Sequence, residues 1–346
     1  RSDLGNARIA GLTEDLHLSN QQYSNVASVF YAGYLAFQLP STLLIRKITA
    51  PVQFFLCAML WGLFTTCTVA VKSYGSLIAL RILVGAAEAL LQGGLYFVSI
   101  IYKPRELGSR LAIIYSTSSL AGACNGLIAL GVEENLSGVN GWAAWQWLFL
   151  ARVIPMGFAF VDLIFVPASP EKLRFFFNEE EKALILRRSR LAQNTSEIKF
   201  LPTLILVLFK DPVFWLCVCV FSGMTFASAA FTNFLPAIIK SFGWSSVTAQ
   251  AMSVIPYAIS AVTTIFWAFL SDRIGQRLLI MMTNILIAII GFILLLTVHS
   301  KGALMVGACF VLAGVQPGIA ITTAFIPNSL PGRTLPMHSS YSDSGR

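Results

Sequence analysis

The 346-residue chain is 56% hydrophobic and only 12% charged, with a mean hydropathy of +0.73. Soluble domains average about 45–50% apolar and about 25% charged residues, so this composition excludes an ordinary soluble enzyme. The formal net charge of +8 indicates membrane topology rather than nucleic-acid binding, because the basic residues fall on alternate loops.

Long apolar blocks predict an all-α protein that crosses a membrane many times. A spanning helix needs roughly 20 apolar residues, and only a helix satisfies the backbone of a lone segment in lipid. The blocks cover residues 24–45, 54–71, 77–101, 111–132, 147–166, 213–239, 249–270, 278–298 and 303–326. We therefore predict about nine spans, interrupted by one polar segment at residues 167–202 in which charge spacing predicts a solvated helix.

The distribution of Lys and Arg predicts the orientation of these spans. One set of alternate loops carries fifteen Lys and Arg residues, and the opposite set carries five. The positive-inside rule places the richer set in the cytoplasm. The sequon Asn135-Leu136-Ser137 then lies outside and is the predicted glycosylation site, whereas Asn194-Thr195-Ser196 lies inside.

The third apolar block contains the most informative charges. Arg81 and Glu88 are seven residues apart, roughly two helical turns, so they share a face with Gly85 and Gln92. A charge at mid-bilayer costs at least about 2.5–3.5 kcal/mol and therefore faces a cavity or a partner. Because burial penalises a charged carboxylate, Glu88 is the predicted proton carrier. The alternative is a structural role, with Arg81 reaching towards the interface.

Other polar residues and glycines in the spans have weaker signals. Arg152, in the fifth block, is equally consistent with contact to lipid headgroups and contact to a substrate. Candidate cavity residues are Tyr31, Tyr34, Gln38, Ser116, Ser119, Asn125, Asn233 and Gln316. The pairs Gly122–Gly126 and Gly314–Gly318 predict close helix packing.

The short segment 271–277 joins two spans on the predicted cytoplasmic side. Asp272, Arg273 and Arg277 are predicted to form a conformational latch between helix ends; simple capping and positive-inside charge remain an open alternative. The sequence contains neither a Ser–His or Cys–His arrangement nor a phosphate-binding loop ending in Lys-Ser/Thr, so we predict no enzyme, no ATP-driven pump, no cofactor and no metal.

Several segments resemble one transporter family. They are residues 1–12 (RSDLGNARIAGL), the Arg81–Glu88–Ala89 helix, residues 102–110 (YKPRELGSR), residues 233–240 (NFLPAIIK) and residues 271–277 (SDRIGQR). Together they resemble the anion:cation symporter family of the major facilitator superfamily, specifically the fungal allantoate, nicotinate and pantothenate permeases.

This resemblance implies the major facilitator fold with about nine of twelve transmembrane helices present. Residues 1–166 would form an N-terminal half lacking helix one, 167–202 a central cytoplasmic loop, 203–328 a C-terminal half lacking the last two helices, and 329–346 an aberrant polar tail. Both ends are thus expected to be truncated.

The resemblance also implies proton symport of a small organic anion across the plasma membrane by a monomer. Arg1, Arg81, Gln92 and Asn233 are then expected to bind the anion, and Glu88 to couple a proton. The expected partners are the substrate and the lipid bilayer, with no nucleic acid.

Two departures from the family pattern leave the substrate open. Arg152-Val153 stands where relatives usually have Glu-Gly, and Leu91-Gln92-Gly93-Gly94 stands where they have Phe-Phe-Pro-Gly. The alternatives are an exporter of a secondary metabolite and a truncated remnant that transports nothing.

Overall fold

The computed structural model describes residues 3–102, 107–167, 178–192 and 209–329, and the regular structure in these residues is entirely helical. The first half contains α1 (Asp3–Ala7), a π-helical turn (Arg8–Leu12), α2 (Thr13–Asp15), α3 (Asn20–Ile48), α4 (Ala50–Cys67), α5 (Tyr74–Ala89), α6 (Gln92–Ile101), α7 (Leu107–Asn135), α8 (Ala144–Leu150) and α9 (Val153–Phe165). After them come α10 (Glu179–Ala192), α11 (Pro212–Ser241), α12 (Ser246–Ile274), α13 (Arg277–Thr297) and α14 (Lys301–Ser329). Short 3₁₀ turns lie at Thr68–Ala70 and Val139–Gly141.

Eight helical segments of the described chain, rather than the expected nine, are long and apolar enough to cross a membrane. The exception is the predicted fifth span, which is divided into α8 and α9. Pro155 has no amide hydrogen to donate to the Ala151 carbonyl. That carbonyl instead accepts from Ile154 at 3.3 Å, three residues on, and Arg152 likewise donates to Phe149 at 3.2 Å. The backbone ladder therefore tightens and the helix breaks at Arg152.

The predicted third span is also interrupted, at the turn between α5 and α6. The side chain of Gln53 on α4 is fully buried and contacts this turn. Its Nε2 group donates to the Leu90 carbonyl at 2.8 Å and to Ser41 on α3, at 3.1 Å to the carbonyl and 3.0 Å to the hydroxyl. One amide thus joins α3 and α4 to the end of α5.

Glycines allow close approaches between helices within each half. A Cβ at Gly33 would collide with the Ile82 carbonyl on α5, and a Cβ at Gly85 would collide with the Phe30 carbonyl on α3. In the second half, a Cβ at Gly314 would lie 2.5 Å from the Asn284 carbonyl on α13. The prediction of close packing at Gly314–Gly318 is confirmed, since Gly318 lies against Met224 of α11.

The two halves meet along α7 and α12, which pack antiparallel. Ser119 and Ser260 hydrogen-bond at 3.1 Å in the middle of this contact. Gly122 and Gly126 follow on α7, where added Cβ atoms would lie 2.6 Å from the Tyr257 ring and 2.9 Å from the Ser253 hydroxyl. The packing role predicted for this glycine pair is therefore confirmed.

The polar central segment is described only in part. The predicted solvated helix is confirmed as α10, whose Glu179 and Lys182 form an exposed ion pair at 2.7 Å. Residues 168–177 and 193–202 lie outside the described residues.

Candidate functional site

Arg81 of α5 is buried in the interior of the first half, with 8% of its surface exposed. Its guanidinium carbon lies 5.9 Å from the centre of the Phe149 ring on α8, and Phe149 is itself buried. This is the distance of a cation–π contact. Arg81 therefore points into the bundle, and this geometry favours the interior over the alternative that its side chain reaches towards the membrane surface.

The predicted polar face of the third block divides into two environments. Gly85 packs against the α3 backbone, because a Cβ there would also lie 3.0 Å from the Tyr34 amide nitrogen. Glu88, one turn further along α5, is half-buried. Gln92 lies beyond the helix break and donates from Nε2 to the Tyr34 hydroxyl.

Tyrosines of α3 connect this face to the second half. Asn233 of α11, 8% exposed, donates from Nδ2 to the Tyr31 hydroxyl at 3.4 Å. Phe30 lies between the two tyrosines, with ring centroids 5.2 Å from Tyr31 and 6.0 Å from Tyr34. The structure thus places Gln92 and Asn233, both predicted from sequence, against neighbouring tyrosines on one helix.

Arg152, at the break between α8 and α9, turns towards the neighbouring helix α7. Its Nη2 donates to the Asn125 Oδ1 atom at 2.6 Å. The backbone carbonyl of Asn125 accepts from buried Asn6 of α1 at 3.5 Å. The sequence left lipid headgroups and the bundle interior as alternatives for Arg152, and the geometry favours the interior.

At one end of the α7–α12 contact, Asp272 joins the two halves. Its Oδ2 accepts from the Ser109 amide at 2.7 Å and from the Ser109 hydroxyl at 2.5 Å. Its Oδ1 pairs with Arg277 at 3.1 Å, and Arg277 also donates to the Ala324 carbonyl on α14 at 2.9 Å. The carboxylate lies at the N-terminus of α7, where free amides and the helix dipole favour negative charge.

The other predicted site residues are not brought into these clusters. Arg273 is exposed next to Asp272, so the geometry supports a latch of Asp272 and Arg277 with Ser109 in its place. Asn135 is exposed at the end of α7 and donates to the Gly131 carbonyl at 2.9 Å. Arg1 lies outside the described residues.

Sequence reasoning missed Gln53, Ser109 and Asn6. Gln53 lies in an otherwise apolar stretch of α4, and this isolated polarity was a usable signal. Ser109 lies in the first turn of α7, where an unpaired amide is expected, but its partner is 163 positions away in the chain. No local pattern identifies such a partner.

The sequence profile of the Major Facilitator Superfamily matches residues 6–338. The chain belongs to this superfamily. Its members are membrane transporters rather than enzymes, and the helical architecture agrees. The protein is similar to the xylose transporter XylE from E. coli in a partially occluded inward open conformation, with a TM-score of 0.65 and 16% identity over 94% of this chain and 87% of that one. At this identity the likeness shows the fold alone.

Fungal transporters are nearer in sequence. An uncharacterized transporter of Schizosaccharomyces pombe is 31% identical over 334 residues, covering 94% of this chain and 66% of its own length. The high-affinity nicotinic acid transporter of Saccharomyces cerevisiae is 30% identical over 324 residues, covering 92% of this chain and 60% of its own length. This chain thus spans about two thirds or less of the length of these relatives.

Proposed function

We propose that this superfamily protein is a secondary transporter that moves a small organic anion, a carboxylate, across the membrane along a pathway between its two halves. The observation that carries the proposal is the buried guanidinium of Arg81 beside Phe149. A buried cation in a membrane protein is expensive and marks a substrate or ion pathway. An arginine binds a carboxylate through two parallel hydrogen bonds, and an aromatic ring beside it favours a flat organic anion. The similarity to a nicotinic acid transporter supports this substrate class.

Coupling to protons is the second part of the proposal. Glu88 lies on α5 two turns from Arg81 and is half-buried. A carboxyl group in that position can take up a proton and neutralise itself as the anion passes. Asp272, paired with Arg277, holds the two halves together at one end through Ser109, and release of this contact would accompany alternating access. We further propose that the protein works in the plasma membrane, with its Asp272 end in the cytoplasm.

Uptake by cells expressing the chain tests this proposal. Labelled monocarboxylates, including nicotinate, are compared with uncharged amides of the same size in cells carrying the chain, R81Q or R110Q. Arg110 is exposed and lies over the Tyr102 ring, so R110Q is the matched control. We expect uptake of at least one carboxylate but not of its amide. R81Q should reduce that uptake by roughly 10-fold or more, as loss of a charge-assisted contact worth about 1.5–3 kcal/mol predicts, and R110Q should not.

The pH dependence of the same uptake tests the coupling. If Glu88 carries the proton, E88Q loses the increase in uptake at low external pH. An unchanged pH profile in E88Q would exclude that role. Carboxylate efflux without uptake would favour the exporter alternative, and absence of flux in both directions would favour the non-transporting form.

A further inference from the structure

A second polar contact lies at the opposite end of the α7–α12 interface from Asp272. Because these helices pack antiparallel, Ser109 near the start of α7 meets Asp272, and Glu133 near the end of α7 lies beside Gln250 near the start of α12. Between these ends are the Ser119–Ser260 hydrogen bond and the glycine contacts already described. The interface between the halves therefore has a polar group at each end.

Gln250 is the residue that requires an explanation. It is fully buried, and its Nε2 and Oε1 atoms make no hydrogen bond of normal geometry among the described residues, although Glu133 lies beside it. Its backbone is held in place, since its carbonyl accepts from the Ser253 hydroxyl at 2.7 Å and lies 3.1 Å from the Cβ position of Gly126. Nearly all buried amide groups in native proteins are hydrogen-bonded, so a partner for this amide is expected.

Glu133 supplies the complementary group. Its Oε2 atom is also buried without a partner in the described part of the chain. The charged groups that act on it are Lys240 at the end of α11, which attracts a carboxylate, and the adjacent Glu134, which repels it. On the α8 side, neighbouring Val132 packs against apolar Leu148. An acceptor oxygen of Glu133 thus lies next to an amide that needs both a donor and an acceptor.

We propose that Glu133 and Gln250 form a proton-binding site that closes this end of the interface between the halves. A hydronium ion from the adjoining solution transfers its proton to Glu133 Oε2, forming one O–H bond and releasing one water molecule. The new O–H donates to Gln250 Oε1, while Gln250 Nε2 donates to the other carboxyl oxygen. An acid–amide pair of this kind satisfies both buried amide atoms and the buried carboxyl oxygen.

Loss of the proton has the opposite effect. In the described part of the chain, the buried Oε2 atom of an ionised Glu133 has only the Gln250 amide hydrogen beside it as a donor, and Gln250 Oε1 again lacks a donor. Water satisfies both groups only if α7 and α12 separate at this end. Deprotonation therefore favours opening here, while the Asp272 contact at the other end is unaffected. This inference goes beyond the proposed function, because it requires neither an organic anion nor Glu88.

Infrared spectroscopy of the purified chain in lipid vesicles tests the site. A protonated carboxyl group has its own carbonyl band, and the pH-dependent difference spectrum is compared for the unmodified chain, E133Q and E134Q. E133Q keeps the shape and the hydrogen bonds but holds no titratable proton, and exposed Glu134 provides the matched control. We expect a band that disappears as the pH rises, that is lost in E133Q and that is retained in E134Q.

Hydrogen exchange of the two helix ends gives a second, independent measurement. At a pH where the band is absent from the unmodified chain, amides near Glu133 and Gln250 should exchange several-fold more slowly in E133Q than in the unmodified chain or E134Q. A difference spectrum in which E133Q loses no part of the carboxyl band, or exchange that is equal in E133Q and the unmodified chain at every pH, would overturn the proposal. Both measurements are made without substrate, so a failure of anion transport does not affect them.

Discussion

Arg81 and Gly85 lie one turn apart on α5 but contact different kinds of neighbour. Arg81 reaches the Phe149 ring, whereas Gly85 lies against the α3 backbone at Phe30. The absence of a side chain at Gly85 brings α3 and α5 together. That approach places Tyr34 beside Gln92 of α6, while Tyr31 on the same helix contacts Asn233 of α11. At the residue scale, a glycine thus acts through packing to position groups that could contact the substrate.

Gly85→Ala tests this packing role. The added Cβ meets the Phe30 carbonyl, which is backbone and cannot rotate away, so the helices must separate. Overpacking of this kind costs typically about 1–3 kcal/mol. We expect a lower apparent Tm of the purified chain in detergent. Gly131→Ala on α7 is the control, because nothing lies within 4 Å of its Cβ position; it should leave the Tm unchanged or raise it. Equal Tm values for the two variants would contradict the packing role.

The sequence identified the charged residues inside the spans but not their contacts, for a physical reason. The cost of charge in lipid is a local property, so Arg81 and Glu88 could be identified from sequence alone. The Phe149 partner of Arg81 could not, because it depends on how α8 packs against α5. The Gly85 position was correctly placed on the same face, but its contact with α3 required the tertiary structure.

Two helix breaks shape the elements around the proposed site. The α5–α6 turn is held by Gln53, and the α8–α9 break places Arg152 against Asn125. Hydropathy predicted both regions as single spans, because apolar composition is the same on either side of a break. Pro155 was a visible signal for the second break, whereas the first has no proline and depends on a glutamine from another helix.

Gln53→Leu tests the role of Gln53 in the α5–α6 turn. The change removes three hydrogen-bond contacts and leaves the Leu90 carbonyl without its side-chain donor. An unsatisfied buried group costs about 1–3 kcal/mol, so thermal unfolding in detergent should occur at lower temperature. The exposed Gln21, which bonds Asn25 at 3.2 Å, provides the control variant Gln21→Leu. If both variants unfold at the same temperature, the Gln53 amide does not stabilise the turn.

Asp272→Asn tests the contact between α7 and α12 at the opposite end from Glu133. An uncharged amide interacts less well with the α7 N-terminus and with Arg277, so this end should open more often. The measurement is thiol labelling of Thr323→Cys on α14, which faces Tyr115 of α7, in a chain whose six native cysteines are replaced by serine. Labelling should be several-fold faster with Asp272→Asn than with Arg273→Ala. Equal rates in both variants would argue against a latch at Asp272.

Contacts between the halves occur at both ends of the whole molecule. At the Asp272 end, α7 meets α12 and α14 through Ser109 and Tyr115. At the other end, Tyr23 of α3 packs on Phe234 of α11 with ring centroids 6.0 Å apart. The length of the apolar blocks predicted a helical protein that crosses the membrane many times, because the bilayer imposes that length on every span, and the family resemblance implied the superfamily fold. The pairing of α7 with α12 could not be predicted, since it depends on two glycines and two serines far apart in the chain.

Glycosylation tests the orientation of the whole molecule. The positive-inside prediction places Asn135 outside and Asn194 inside, and Asn135 is exposed in the structure. Expression in a eukaryotic host should give a form whose mobility increases on glycosidase treatment and in Asn135→Gln, but not in Asn194→Gln. A change in mobility with Asn194→Gln alone would indicate the opposite orientation.

The most direct test of anion transport is counterflow in vesicles containing the purified chain. Vesicles are preloaded with an unlabelled carboxylate and diluted into a trace of the labelled compound at equal pH on both sides, so no proton gradient is required. The account predicts transient accumulation of label by the unmodified chain and by E88Q, because exchange needs binding but no net proton movement, and its loss in R81Q. Accumulation that is equal in R81Q and the unmodified chain would contradict the assignment of the anion site to Arg81.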